Sequence, residues 1–191
     1  MLSQAINSSL SKLAHPTKIA ETSKTLPDPR LVVTGHAPDG TSIFTFDARR
    51  TSFAPFGPAG THFTSFHTSP AVPASNTAPY PELAATLPRC PPSGVLFCIT
   101  DIQPGGSAPM HRTLTLDYAV VLAGEIVLRL DGGDEATVRA GEFIVQRGVN
   151  HEWHNRTDEP CRILVVMVGS EKVVLADGKE LDATVFGKKP E

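Results

Sequence analysis

Two histidines and one carboxylate are placed where they could do chemistry together. His111 and Asp117 fall in Gly105-Gly-Ser-Ala-Pro-Met-His111-Arg-Thr113-Leu-Thr115-Leu-Asp117, and His151 in Arg147-Gly-Val-Asn-His151-Glu-Trp153-His154-Asn155. Side chains alternate along an extended strand, so a strand over residues 110–122 would turn His111, Thr113, Thr115 and Asp117 to one face. Polar groups on a buried face are costly unless they have partners or a task. A second apolar strand would bring up His151. These are the parts of a two-histidine, one-carboxylate metal centre, or of a metal-free pocket that moves protons.

Each residue also has a plain reading. His111 could be a core histidine bonded to Thr113 or Asp117, Asp117 could pair with Arg112 or Arg147, and His151 could be a loop residue. Trp153 shares the strand parity of His151, which predicts a pocket wall able to stack on a flat substrate. Thr113, Phe143, Val145, Ile163, Val165 and Met167 complete the expected lining. His154 lies an odd number of positions from His151 and should face away. His36, His62 and His67 have no ligand spacing, and His67 is the one expected nearest the cavity. The chain has no G-x-S-x-G elbow, no phosphate-binding loop and no G-x-G-x-x-G opening a helix.

The elements that must position these groups are short. From Gly94 onward, strands are expected near 94–101, 110–122, 125–131, 135–139, 142–147, 151–155 and 161–168, separated by glycine turns. That pattern predicts a β-sandwich or barrel. Earlier, Pro38-Asp39-Gly40 joins residues 30–34 to 41–46 as a hairpin, and residues 63–66 form a further strand. Seven prolines between 68 and 93 exclude regular structure there, which predicts a wrapping arm anchored by Tyr80 and Leu83. Leu2, Ile6, Leu10 and Leu13 recur at helical spacing, so a short amphipathic helix is expected at the start. Residues 171–186 read as a closing hairpin around Asp177-Gly178.

Composition narrows the class. The chain has 191 residues, 40% of them hydrophobic, and a net charge of −3 without long runs of either sign. One domain with a real core is expected, and a nucleic-acid surface is not. No stretch approaches the roughly 18 apolar residues of a membrane span. Residues 1–13 lack the continuous apolar run of a signal peptide. Cys90, Cys98 and Cys161 show no C-x-x-C spacing and read as free thiols in a reducing compartment, so a cytoplasmic location is expected.

Gly105, His111, Asp117 and Gly124, followed by Gly148, His151 and Asn155, resemble the two motifs of the cupin superfamily over residues 94–170. The resemblance implies an all-β jelly-roll barrel. Residues 1–30 would be an N-terminal arm with the short helix, residues 31–186 a single barrel domain including the Pro-rich loop 68–93, and 187–191 a tail. Thr113 stands at the second histidine of motif one, Asp117 replaces its glutamate, and Gln146 takes the usual place of the motif-two proline. The resemblance implies His111, Asp117 and His151 as ligands of a divalent ion, iron(II) first, with manganese, zinc or no ion as alternatives. Trp153, Thr113, Phe143 and Met167 would contact substrate.

The leading expectation is an enzyme performing metal-dependent oxidation, oxygenative cleavage or decarboxylation on a small metabolite, such as a polyketide or aromatic biosynthetic intermediate. The alternatives are a metal-free dehydratase, isomerase or cyclase using His and Asp, and a binding protein without turnover. A homodimer is expected, with no nucleic-acid or membrane partner.

Overall fold

Residues 115–123 show how the pattern becomes structure. In the computed structural model, which describes residues 25–83 and 85–184, Thr115, Asp117, Ala119 and Val121 turn inward while Tyr118 and Leu122 stay exposed. Thirteen strands form and no helix occurs among the described residues. The expected N-terminal helix lies outside them.

A hairpin of β1 (Arg30–His36) and β2 (Ser42–Arg49) comes first. Nine strands then build two sheets: β3 (His62–Ser69), β4 (Val95–Ile102), β5 (Ser107–His111), β6 (Thr115–Ala123), β7 (Glu125–Leu130), β8 (Glu135–Arg139), β9 (Phe143–Arg147), β10 (His151–His154) and β11 (Cys161–Gly169). One sheet has the order β3-β4-β11-β6-β9 and the other β5-β10-β7-β8. A short pair, β12 (Val173–Val174) and β13 (Glu180–Leu181), closes the described chain around Asp177-Gly178.

The core lies between the two sheets. Ile102, Ala119, Val121, Cys161 and Ile163 come from the five-stranded sheet, and Ile126 and Val138 from the other. Each fully buried aliphatic side chain contributes about 1.5–3 kcal/mol. This cluster therefore holds the sheets together at one end and leaves the other end free for polar groups. All three cysteines are free thiols, with Cys98 and Cys161 buried. No helix among the described residues is long and apolar enough to cross a membrane.

One expected strand is in fact two. Residues 110–122 do not run as a single extended segment, because the chain leaves β5 at His111 and enters β6 at Thr115 in the opposite sheet. His111 and Asp117 therefore meet across the barrel and do not share a strand face. Pro109 lies within β5, an edge strand, where a residue without an N–H donor is tolerated.

Residues 70–93 are irregular but tied down. Ala71 bridges Ser93, the Tyr80 ring lies 5.7 Å from that of His67, and Cys90 Sγ lies 3.3 Å from Met167 O. Leu83 borders a small cavity with Phe53 and Phe63. Leu87 and Pro88 reach the mouth of the barrel.

Candidate active site

His111 and His151 stand opposite each other in the β5–β10 ladder, with ring centroids 4.2 Å apart. Each ring uses Nδ1 in the same way. His111 Nδ1–H donates to Pro109 O at 2.8 Å and His151 Nδ1–H to Val149 O at 3.1 Å, so Nε2 is the acceptor nitrogen of both. Burial lowers the pKa of both, and the neighbouring His111 helps bring His151 down to about 4. Both are neutral imidazoles at neutral pH.

Asp117 faces them from β6, and Gln146 lies directly across the β6–β9 ladder from it. Gln146 Nε2 donates to Asp117 Oδ2 at 3.0 Å and lies 3.2 Å from His151 Nε2, which accepts its second hydrogen. One amide thus ties a carboxylate to an imidazole. Burial raises the Asp117 pKa, and the neighbouring Thr115 hydroxyl and Gln146 amide oppose the rise. Asp117 Oδ1 and Gln146 Oε1 are buried without a hydrogen-bond partner among the described residues. Thr115 Oγ1 donates to Thr113 Oγ1 at 2.8 Å.

These groups line a cavity of about 140 Å³ between the sheets, with Phe63, Thr100, Ala119, Val165 and Met167 among its walls. Trp153 lies edge-on to His151, with ring centroids 5.5 Å apart. Thr113, Trp153 and Met167 are in the lining as expected, and Val165 with them. Ile163 belongs to the buried core instead.

Phe143 and Val145 are corrections. They are 81% and 61% exposed on the outer face of β9, because Gln146, with Ile144, takes the inward parity of that strand. Assuming that the apolar residues of β9 point inward reverses the strand. Gln146 is the cavity residue that strand patterning missed; its signal is a polar side chain two positions from Ile144, after three apolar residues in a strand that ends at Arg147.

His154 turns outward to Glu152, at 3.2 Å. His67 is exposed beside Tyr80 and is not in the cavity wall. Asn155 is structural. Its Nδ2 donates to Ile102 O and Glu159 O, and its Oδ1 accepts from Thr157, all inside the barrel wall.

His111, Asp117 and His151, the three ligands expected of an ion centre, all line the one cavity. Among the described residues no group of three or more His, Cys, Asp or Glu is placed to hold a metal ion. The Gln146 amide lies between Asp117 and His151 and occupies Asp117 Oδ2 and His151 Nε2, so an ion bound to those two atoms would have to displace it.

Residues 98–167 match the family model described as "Cupin domain". This segment is a cupin domain. Similar proteins extend the match. Phomopsin biosynthesis cluster protein C' of Diaporthe leptostromiformis is 40% identical over 108 residues, which cover 56% of this chain and 57% of that protein. A cupin-domain-containing oxidoreductase of Neurospora crassa is 34% identical over 93 residues, 47% of each chain. The chain thus spans about half the length of the curated relatives it matches. The structure of the polyketide cyclase RemF from Streptomyces resistomycificus is similar at 20% identity and a TM-score of 0.46, covering 73% of this chain and 81% of that one. His111, Asp117, Gln146 and His151 all lie inside the matched segment.

Proposed function

We propose that this cupin domain belongs to an enzyme that moves protons on a small organic metabolite of a biosynthetic pathway, as a metal-free isomerase, dehydratase or cyclase. The observation that carries the reading is the Gln146 amide shared between Asp117 and His151. A neutral imidazole and a carboxyl group shifted toward its protonated form supply a base and an acid at the same pH. His111 Nε2 takes a proton from an activated C–H or O–H of the substrate. Asp117, whose pKa burial raises, returns one through Oδ1. His151 is held in its tautomer by Val149 O and the Gln146 amide, and burial keeps His111 neutral. The buried acceptor Gln146 Oε1 suits a substrate hydroxyl. Trp153 and the aliphatic walls orient the body of the substrate and exclude water. Relatives named as biosynthesis cluster proteins support the metabolic setting.

Solvent-deuterium exchange tests this. Chelator-treated protein is incubated in D2O with a panel of 1,3-dicarbonyl and aryl-ketone compounds, and incorporation is followed by NMR. Exchange above background that survives the chelator and is lost in His111→Ala supports the reading. Exchange or turnover that appears only when a divalent ion is restored overturns it.

A second reading, metal-dependent oxidation, is favoured by relatives named cupin-domain-containing oxidoreductases at 34–37% identity. It requires the Gln146 amide to give up the acceptors it now holds. Elemental analysis of protein purified without chelator separates the two.

A further inference from the structure

A second cavity, of about 330 Å³, adjoins the first and shares Leu87, Pro88, His111, Thr113 and Met167 with it. Its character is different. Two guanidinium groups, Arg89 and Arg112, line it together with Ser170 and Thr184, and among the described residues no carboxylate lines it. The first cavity is mostly apolar beyond its polar cluster, so the two together describe a ligand with an apolar body and an anionic end.

Arg112 is the better placed of the pair. Its side chain is only 15% exposed, and Nη2 lies 3.9 Å from Asp131 Oδ2, beyond hydrogen-bond reach. Nε donates to Gly148 O at 3.1 Å. A guanidinium carries five N–H donors in a planar fork suited to a carboxylate. The backbone beneath it is clamped on both sides by Thr184: Arg112 N–H donates to Thr184 Oγ1 at 2.6 Å, and Thr184 N–H donates to Arg112 O at 3.0 Å. That clamp holds the Arg112 main chain beside His111, and the Nε bond to Gly148 O orients the side chain. Arg89 is exposed and stands at the rim.

We propose that this second cavity is an anion subsite, in which Arg112, assisted by Arg89, binds the carboxylate of a small organic acid whose apolar body reaches past His111 to Trp153. The inference rests on the cavity between the sheets being the substrate pocket. It adds that the substrate class is a carboxylic acid, and that Arg112 sets this specificity.

The test uses two probes of the same shape, 3-phenylpropanoate and 3-phenylpropanamide. Binding is read by calorimetry and by the fluorescence of Trp153, the sole tryptophan of the chain. The acid should bind about tenfold more tightly than the amide, and the preference should shrink as salt is raised. Arg112→Gln should remove the preference, Arg112→Lys should keep part of it, and Arg89→Gln should reduce it about twofold. Thermal melts check that the variants fold. If Arg112→Gln does not, the salt dependence and Arg89→Gln decide. Equal binding of acid and amide, or a preference untouched by these variants, overturns the subsite while leaving the apolar pocket standing. Failure of both probes to perturb Trp153 overturns the pocket reading and the subsite with it.

Discussion

Gln146 lies directly across the β6–β9 ladder from Asp117, and its amide nitrogen donates to Asp117 Oδ2 across 3.0 Å inside the barrel. Replacing it with an apolar residue leaves two buried acceptors, Asp117 Oδ2 and His151 Nε2, without their donor. Each loss costs about 1–3 kcal/mol. Gln146→Leu should therefore lower unfolding stability by about 3 kcal/mol in urea titrations at neutral pH. Gln146→Glu, which sets a second carboxyl beside the first, should regain stability as the pH falls, because one of the pair must then hold a proton.

The His151 imidazole predicts an acid-side loss of stability. Its folded pKa, about 4, lies below the ordinary 6.5, so the unfolded chain binds the proton more tightly. The stabilising contribution is full above pH 6.5 and disappears as pH falls from 6.5 toward 4, with a span on the order of 3 kcal/mol. His111 adds to the loss in the same direction. Asp117 works the other way, since a raised carboxyl pKa favours the folded state once protonated. Denaturant melts from pH 7.5 to 4.5 should show the fall, and His151→Gln should flatten it.

Asp101 and Arg162 form a two-armed ion pair near the chain entry, with contacts of 2.7 and 2.6 Å and side chains 5% and 13% exposed. Arg162 also donates to Pro27 O at 3.0 Å, which holds the incoming segment against β11. Removing one partner strands the other charge in a low-dielectric wall. Asp101→Ala should cost about 3–5 kcal/mol, read as a lower urea midpoint, with earlier proteolytic cleavage near residues 25–29.

Gly124 has a φ of +72°, and a Cβ there would meet Pro160 O at 2.7 Å. Gly124→Ala suffers both backbone strain and a steric clash with main chain, which cannot yield as a flexible side chain would. A loss of about 2 kcal/mol or more is expected in thermal or urea melts. Gly133→Ala, also at positive φ but with nothing within 4 Å of the added Cβ, should cost less.

Much of the barrel was legible because alternation and glycine turns report local geometry. The residues 135–139 segment, bounded by Gly132-Gly133 and Ala140-Gly141, reads directly as β8. What local pattern cannot report is which sheet a strand joins. His111 and Asp117 keep the same parity whether their strand is continuous or broken at Arg112–Leu114, so the crossing between sheets was invisible. The site suffered in the same way at β9. Three apolar residues ahead of Gln146 and Arg147 suggest an apolar inner face, yet Gln146 faces inward, where it bonds Asp117 and His151. Phe143 is left outside as a result. A partner three strands away in sequence decided the orientation, and hydropathy does not encode that partner.

The central claim is that His111 and His151 are neutral Nδ1–H tautomers, with the Gln146 amide bridging His151 and Asp117. Long-range 1H–15N correlation spectra of uniformly labelled protein, purified without chelator and titrated from pH 7.5 to 4.5, read this directly. The account predicts two imidazoles with protonated Nδ1 and unprotonated Nε2 at neutral pH, with His151 still neutral at pH 5. Nε2 resonances shifted or broadened by a coordinated ion in the purified protein, or His151 taking up its proton near pH 6.5, would contradict it.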